Sequence, residues 1–213
     1  MPKFSQALLV TPPSPRRPRR IVTVSGHGVR GTFPTRKSEK LAQFESLNEA
    51  RALVWLEVAP SVKSISTQPQ VFEYLQDERP RRYTPDVKIE TDSGHTFLEI
   101  KDDAALATNS RAVIRLRAAV QHLQQRGHRF CIVLRSDLIA NGLPDRLQLL
   151  LSVRPVRGRY RPSLNTTLWD PENGIPPSDE IHEKWENAKR ECDDLLRRIM
   201  KRDPDDLLPA VVR

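Results

Sequence analysis

The sequence predicts an α/β fold, a small mixed sheet flanked by helices, with a basic arm before it and a helical tail after it. Three observations point there. Val87 and Ile89 alternate with polar neighbours, as do Thr96, Leu98 and Ile100, and Asp92-Ser93-Gly94 supplies turn chemistry between them, so this stretch reads as two half-buried strands in a hairpin. Residues 45–58 and 110–126 carry apolar side chains at helical spacing. Residues 130–134, Phe-Cys-Ile-Val-Leu, form an unbroken apolar run of the kind expected for a central buried strand.

The chain has 213 residues, room for one ordinary domain plus extensions, and a formal net charge of +8. Residues 1–44 hold nine Lys or Arg against Glu39 alone, so the whole excess lies in this segment and the remainder is neutral. Residues 1–40 are therefore expected to be a basic, largely flexible arm. Arg16, Arg17, Arg19 and Arg20, broken by Pro18, suit a segment that tracks phosphates. Residues 7–10 are too short for a signal-peptide core, and no run approaches the roughly 20 apolar residues of a membrane span. Cys131 and Cys192 give no disulfide framework. A soluble, cytoplasmic, DNA-associated protein is expected.

Residues 21–24 read as a short strand or contact segment. Gly26-His27-Gly28-Val29-Arg30-Gly31 lacks the strand–loop–helix setting of a phosphate loop and is rejected as one. In the first helix, over 45–58, Leu47, Ala50, Leu53, Val54, Leu56 and Val58 form the apolar face, and Pro60 ends it. Glu45 and Glu49 are four apart, a like-charged pair that costs helix stability unless a cation faces it. Residues 62–65 and 71–74 read as short extended pieces around Gln68-Pro69.

In the hairpin, strand alternation sends Glu99 and Lys101 to one side and Leu98 and Ile100 to the other. Asp86, at the start of the first strand, is brought towards the end of the second. An Asp, a Glu and a Lys at one sheet end suit a hard divalent ion and a positioned water. Turn chemistry and a solvated strand face would account for the same residues.

The helix over 110–126 buries Val113, Leu116, Ala119, Val120 and Leu123 and stops at Gly127. Arg111, Arg115, Arg117 and Arg126 lie on its other face, available to a phosphate backbone or to solvent. Residues 138–151 read as a further helix around Pro144, closing a core over 41–153. A Pro/Arg-rich linker over 154–177 leads to a helix over 178–201, capped by Ser178. Its seam of Ile181, Trp185, Ala188, Cys192, Leu195 and Ile199 is expected to dock a partner rather than the core. Residues 202–213 carry no signal. The five histidines have no nucleophile partner and no zinc spacing.

Four features occur in one order: Phe44-Glu45-Ser46-Leu47-Asn48-Glu49, Gln68-Pro69, Arg82-Tyr83-Thr84-Pro85-Asp86 and Glu99-Ile100-Lys101. Together they resemble the restriction-endonuclease-like PD-(D/E)xK nucleases, and more closely the TnsA-like endonuclease subunits of heteromeric bacterial transposases, over about residues 44–151. The resemblance implies a metal-dependent endodeoxyribonuclease acting at the 5′ ends of a mobile element. It implies one or two Mg²⁺ ions, with Mn²⁺ as a substitute. Asp86, Glu99, Glu49 and the Ile100 carbonyl would be ligands, and Lys101 would orient or help deprotonate the attacking water. Arg81, Arg82, Arg111 and Arg115, with the four arm arginines, are the DNA-contact candidates. An integrase-type transposase subunit and an AAA+ regulator are the implied partners. A complete winged-helix-like second domain, which the resemblance would imply, is not expected in the 60 residues after Val153, and the helix over 178–201 is expected to take over docking. A stand-alone restriction-like or junction-resolving nuclease, and a non-catalytic DNA-binding module, are the alternatives.

Overall fold

The computed structural model describes residues 29–76, 78–107, 110–152 and 179–209. The arginines at 16, 17, 19 and 20, the segment over 21–24, the linker and Ser178 lie outside the described residues. The chain opens with a short antiparallel pair, β1 (Gly31–Phe33) and β2 (Ala42–Phe44), and enters helix α1 (Leu47–Val58). Strand β3 (Ser64–Thr67) follows, then the hairpin of β4 (Phe72–Gln76) and β5 (Arg79–Tyr83). The expected hairpin is β6 (Val87–Thr91) and β7 (Gly94–Lys101), turning through Asp92 and Ser93. A short helix α2 (Asp103–Leu106), helix α3 (Arg111–Gln125) and strand β8 (Arg129–Leu134) come next. Helices α4 (Arg135–Ile139), α5 (Leu143–Ser152) and α6 (Asp179–Met200) complete the order.

The main sheet is mixed, in the order β3-β6-β7-β8, with β7 and β8 parallel and the other pairs antiparallel. One face packs Ile65, Val87, Ile89, Leu98, Ile100, Cys131 and Val133 against α1, α4, α5 and α6. The other sets Phe97, Phe130 and Ile132 against Val113, Leu116, Val120 and Leu123 of α3, with Phe72 of β4 and Leu208. Burial of side chains of this size supplies about 1.5–3 kcal/mol each.

Several expectations are corrected. Strand β8 is buried on both faces but lies at the edge of the sheet rather than its centre. The helix expected over 138–151 is broken by a 3-10 turn at Ala140–Gly142, where Asn141 and Gly142 take positive φ of 54° and 64°. Glu45 precedes α1, whose N-cap is Ser46, so Glu45 and Glu49 do not stack on a helix face.

The largest correction concerns α6. Its seam does not await a partner: Trp185, Ala188, Cys192, Leu195, Leu196 and Ile199 are buried in the same core as α1. The Trp55 indole donates to the Cys192 carbonyl at 3.0 Å, Ser61 donates to Asp193, and Arg146 makes a two-pronged pair with Glu191. The folded body therefore extends past the core boundary at 153 and includes 179–208. Both cysteines are free, and burial raises their thiols to about 11 for Cys131 and about 12 for Cys192.

A buried polar cluster ties the segment before β2 to the end of α1. The Lys37 ammonium donates to the Leu56 carbonyl at 2.8 Å and also to that of Ala59, satisfying carbonyls the helix end leaves open. Glu57 accepts from the Thr35 hydroxyl at 2.6 Å and from the Arg36 amide at 3.1 Å. Among the described residues, no helix is long and apolar enough to cross a membrane.

Candidate active site

The parallel strands β7 and β8 end side by side, Lys101 opposite Leu134, at the sheet edge where antiparallel β6 begins. Ends of parallel strands are where α/β sheets leave room for a ligand. On β7 the row facing α3 runs Phe97, Glu99, Lys101: it is apolar under the helix and turns charged at the strand end. Glu99 is buried, only 5 % exposed. Its Oε1 lies 2.6 Å from the Lys101 ammonium, and its Oε2 accepts the Tyr83 phenol.

Asp86 reaches the same place from β6. Its Oδ2 accepts the Ile100 amide at 2.8 Å. The amide and carbonyl of one strand residue point to the same side, so the Ile100 carbonyl also faces the Asp86 edge. The Gln68 amide donates to the Asp86 carbonyl at 2.9 Å from a backbone φ of 45°, a left-handed conformation uncommon outside glycine. The Gln68-Pro69 step thus pins the main chain that presents Asp86.

Burial pushes the Asp86 carboxyl well above its usual range, and the Glu99 charge pushes it further; Glu49 adds to this, while Lys101 and the Ile100 amide oppose it. Lys101 shows the reverse balance. Burial alone would lower it, but the charges of Glu99, Asp86 and Glu49 together outweigh burial and raise it. With those charges around it Lys101 is held as an ammonium, suited to stabilising negative charge. Burial and Glu99 also raise the Tyr83 phenol, which stays a donor.

Glu49 lies close enough for its charge to act on Asp86 and Lys101. Its carboxylate, however, is engaged at the start of α1. It accepts the Glu45 amide at 2.7 Å and the Ser46 hydroxyl at 2.8 Å, while Ser46 caps the Glu49 amide. Accordingly, among the described residues no three His, Cys, Asp or Glu side chains converge on one metal position. The Asp86–Glu99 pair does fit a hard dication. The buried Glu99 and the half-buried Asp86 repel each other here, and the Lys101 ammonium already stands against Glu99 in the place of a cation.

A cleft of about 740 Å³ opens over this cluster between the β4–β5 hairpin and the first turns of α3. Glu99 and Lys101 form part of its wall, with Tyr83, Arg81, Arg82 and Arg115 around them. Three of the arginines proposed for DNA contact are thus brought together. Arg111 is exposed at the first position of α3 and does not line the cleft. Arg82 pairs across the hairpin with Glu73 at 3.0 Å, and the buried Arg81 Nε has no hydrogen-bond partner. Tyr83 and Gln68, which hold Glu99 and Asp86, had no assigned role; both fall within the motif stretches, which was their only signal.

Residues 59–135 match the TnsA-like endonuclease N-terminal family. This segment is TnsA-like. The TnsA-like segment runs from just before β3 to the start of α4 and contains Asp86, Glu99, Lys101, Tyr83 and the cleft arginines. Glu49 and the whole of α1 precede it, and α6 follows it. The match marks an endonuclease family. A comparison with curated proteins returns no match.

Proposed function

We propose that this chain is a metal-dependent DNA endonuclease on a restriction-endonuclease-like core, the nicking subunit of a TnsA-like transposase. The reading is carried by one observation: within the TnsA-like segment the Glu99 carboxylate and the Lys101 ammonium form part of the wall of an arginine-lined cleft, and the Asp86 carboxylate, repelled by Glu99, stands beside them.

Asp86 and Glu99, with the Ile100 carbonyl, would hold one or two Mg²⁺ ions, and Glu49 would complete the set by rotating off its helix cap, leaving Ser46 to cap α1. Mn²⁺ would substitute. A bound Mg²⁺ supplies a hydroxide-like water at neutral pH and charge neutralisation at the phosphate. Arg81, Arg82 and Arg115 draw the DNA backbone into the cleft, and the arginines at 16, 17, 19 and 20 extend that attraction along the strand. Lys101 would face the phosphate and stabilise the charge that builds on it. The role at 5′ ends of a mobile element, with an integrase-type transposase cutting the 3′ ends and an AAA+ regulator above them, belongs to the same reading.

The test is cleavage of DNA carrying element ends, with and without Mg²⁺ and the partner transposase. Nicks that require Mg²⁺ and vanish in Asp86→Asn and Lys101→Ala are expected. Metal-independent nicks, or full activity in Asp86→Asn, would overturn the reading. Nicking without the transposase would leave the chemistry and assign it to a stand-alone nuclease.

A further inference from the structure

Resting on that reading, we propose that Tyr83 is a positioning residue. Its hydroxyl fixes the Glu99 carboxylate for metal binding and ties it to the strand that carries the cleft arginines.

The two oxygens of Glu99 are held by different kinds of donor. Oε1 faces the Lys101 ammonium, a charge that a bound cation would replace. Oε2 accepts from Tyr83, a neutral donor that need not leave when a cation arrives. A carboxylate has about four acceptor positions, so the phenol orients the group without exhausting it. The side chain is set for this task. Its ring packs against Phe130 with centroids 6.1 Å apart, so the hydroxyl is aimed by a fixed body.

The link also crosses between sheets. Glu99 belongs to the main sheet and Tyr83 to the two-stranded β4–β5 sheet, where Arg81 and Arg82 are the two residues before it. Three residues on, the same segment delivers Asp86. A phosphate held by the hairpin arginines therefore acts on a strand that is bonded to one carboxylate and continuous with the other.

The experiment uses full-length protein and two variants that each lose one hydroxyl donating to a buried carboxylate. Tyr83→Phe removes the bond to Glu99 and keeps the ring; Thr35→Val removes the bond to Glu57, away from the cleft. Mn²⁺ affinity is measured by calorimetry, and end-nicking kinetics at saturating Mn²⁺. Tyr83→Phe is expected to bind Mn²⁺ about 10-fold or more weakly. It is also expected to lower kcat with the KM for DNA unchanged. Thr35→Val is expected to melt at a lower temperature with Mn²⁺ affinity and kcat intact. Wild-type Mn²⁺ affinity in Tyr83→Phe, or an equal loss in Thr35→Val, overturns the positioning role alone. A wild-type chain that neither binds Mn²⁺ nor nicks overturns the nuclease reading together with it.

Discussion

Two buried groupings in this molecule are made from the same residue types and differ in what they are fit for. Behind α1, Glu57 and Lys37 are 1 % and 4 % exposed, and each is matched. The carboxylate takes a hydroxyl and an amide, and the ammonium takes two helix-end carbonyls. At the end of β7, Asp86 and Glu99 share one lysine, with Glu49 nearby adding a third negative charge. The first grouping sets one acid and one base against neutral partners, both side chains nearly closed to solvent. The second has acids in excess and a cleft beside it. A buried charge that is fully satisfied holds the fold; a surplus of one sign next to a cavity creates demand for a counter-ion.

That contrast can be broken or sharpened by measurement. The largest effect is expected for Asp86→Asn, which should cut cleavage by roughly 10³-fold while the ion-free chain becomes more stable. The sign follows from the raised Asp86 carboxyl. Below the ordinary value of 3.8 both folded and unfolded chains hold the proton; above it, up to the raised folded value, only the folded chain does. Stability of the ion-free wild type therefore falls as pH climbs through that window, and Asn removes the fall. Thermal melts from pH 4 to 8 check it. A melting temperature about 2–4 °C higher at neutral pH would correspond to about 1 kcal/mol in a chain of this length. An Asn variant less stable than wild type at pH 7 would erase the distinction between the two groupings.

Next is Lys37→Met, expected to cost about 3 kcal/mol of stability by leaving buried helix-end carbonyls unpaired. Denaturant unfolding reads this, and Mn²⁺ affinity should not change. Glu49→Gln is expected to leave stability within about 0.5 kcal/mol, because the amide oxygen can still accept from Glu45. Cleavage should nonetheless fall about 10²-fold if Glu49 leaves its cap to join the metal; unchanged cleavage would confine it to capping. Smallest is Arg115→Gln. DNA binding, titrated against salt, should weaken about equally for all sequences, and the log–log salt slope should drop by about 1.

The legible parts of the sequence were those where local periodicity and final environment agree. The β6–β7 hairpin and α3 follow their alternation closely, and the five residues expected to be buried in α3 are those that are buried. Hairpin register alone brings Asp86 beside Glu99, so that half of the site could be read early. Strand β5 could not: Arg79-Pro80-Arg81-Arg82-Tyr83 has no apolar rhythm, and it is a strand because β4 pairs with it. The break in the helix over 138–151 had a signal in Asn141-Gly142, a pair that tolerates positive φ. For α6, spacing identified an apolar seam but not its occupant, since the contact of Trp55 with Cys192 joins residues 137 apart. Glu49 was ambiguous for a physical reason. The Ser46-to-Glu49 spacing that fits the nuclease motif is also a helix-capping box.

The Trp55–Cys192 bond bears on how this gene should be cut. The recognisable stretch, 59–135, contains neither the indole nor the helix it clasps, although both fill the hollow beneath the sheet. An expression fragment trimmed to that stretch would leave one side of its sheet stripped to water and should be recovered as insoluble material. Transferring this nuclease to another scaffold means carrying the flanking helices along as its keel.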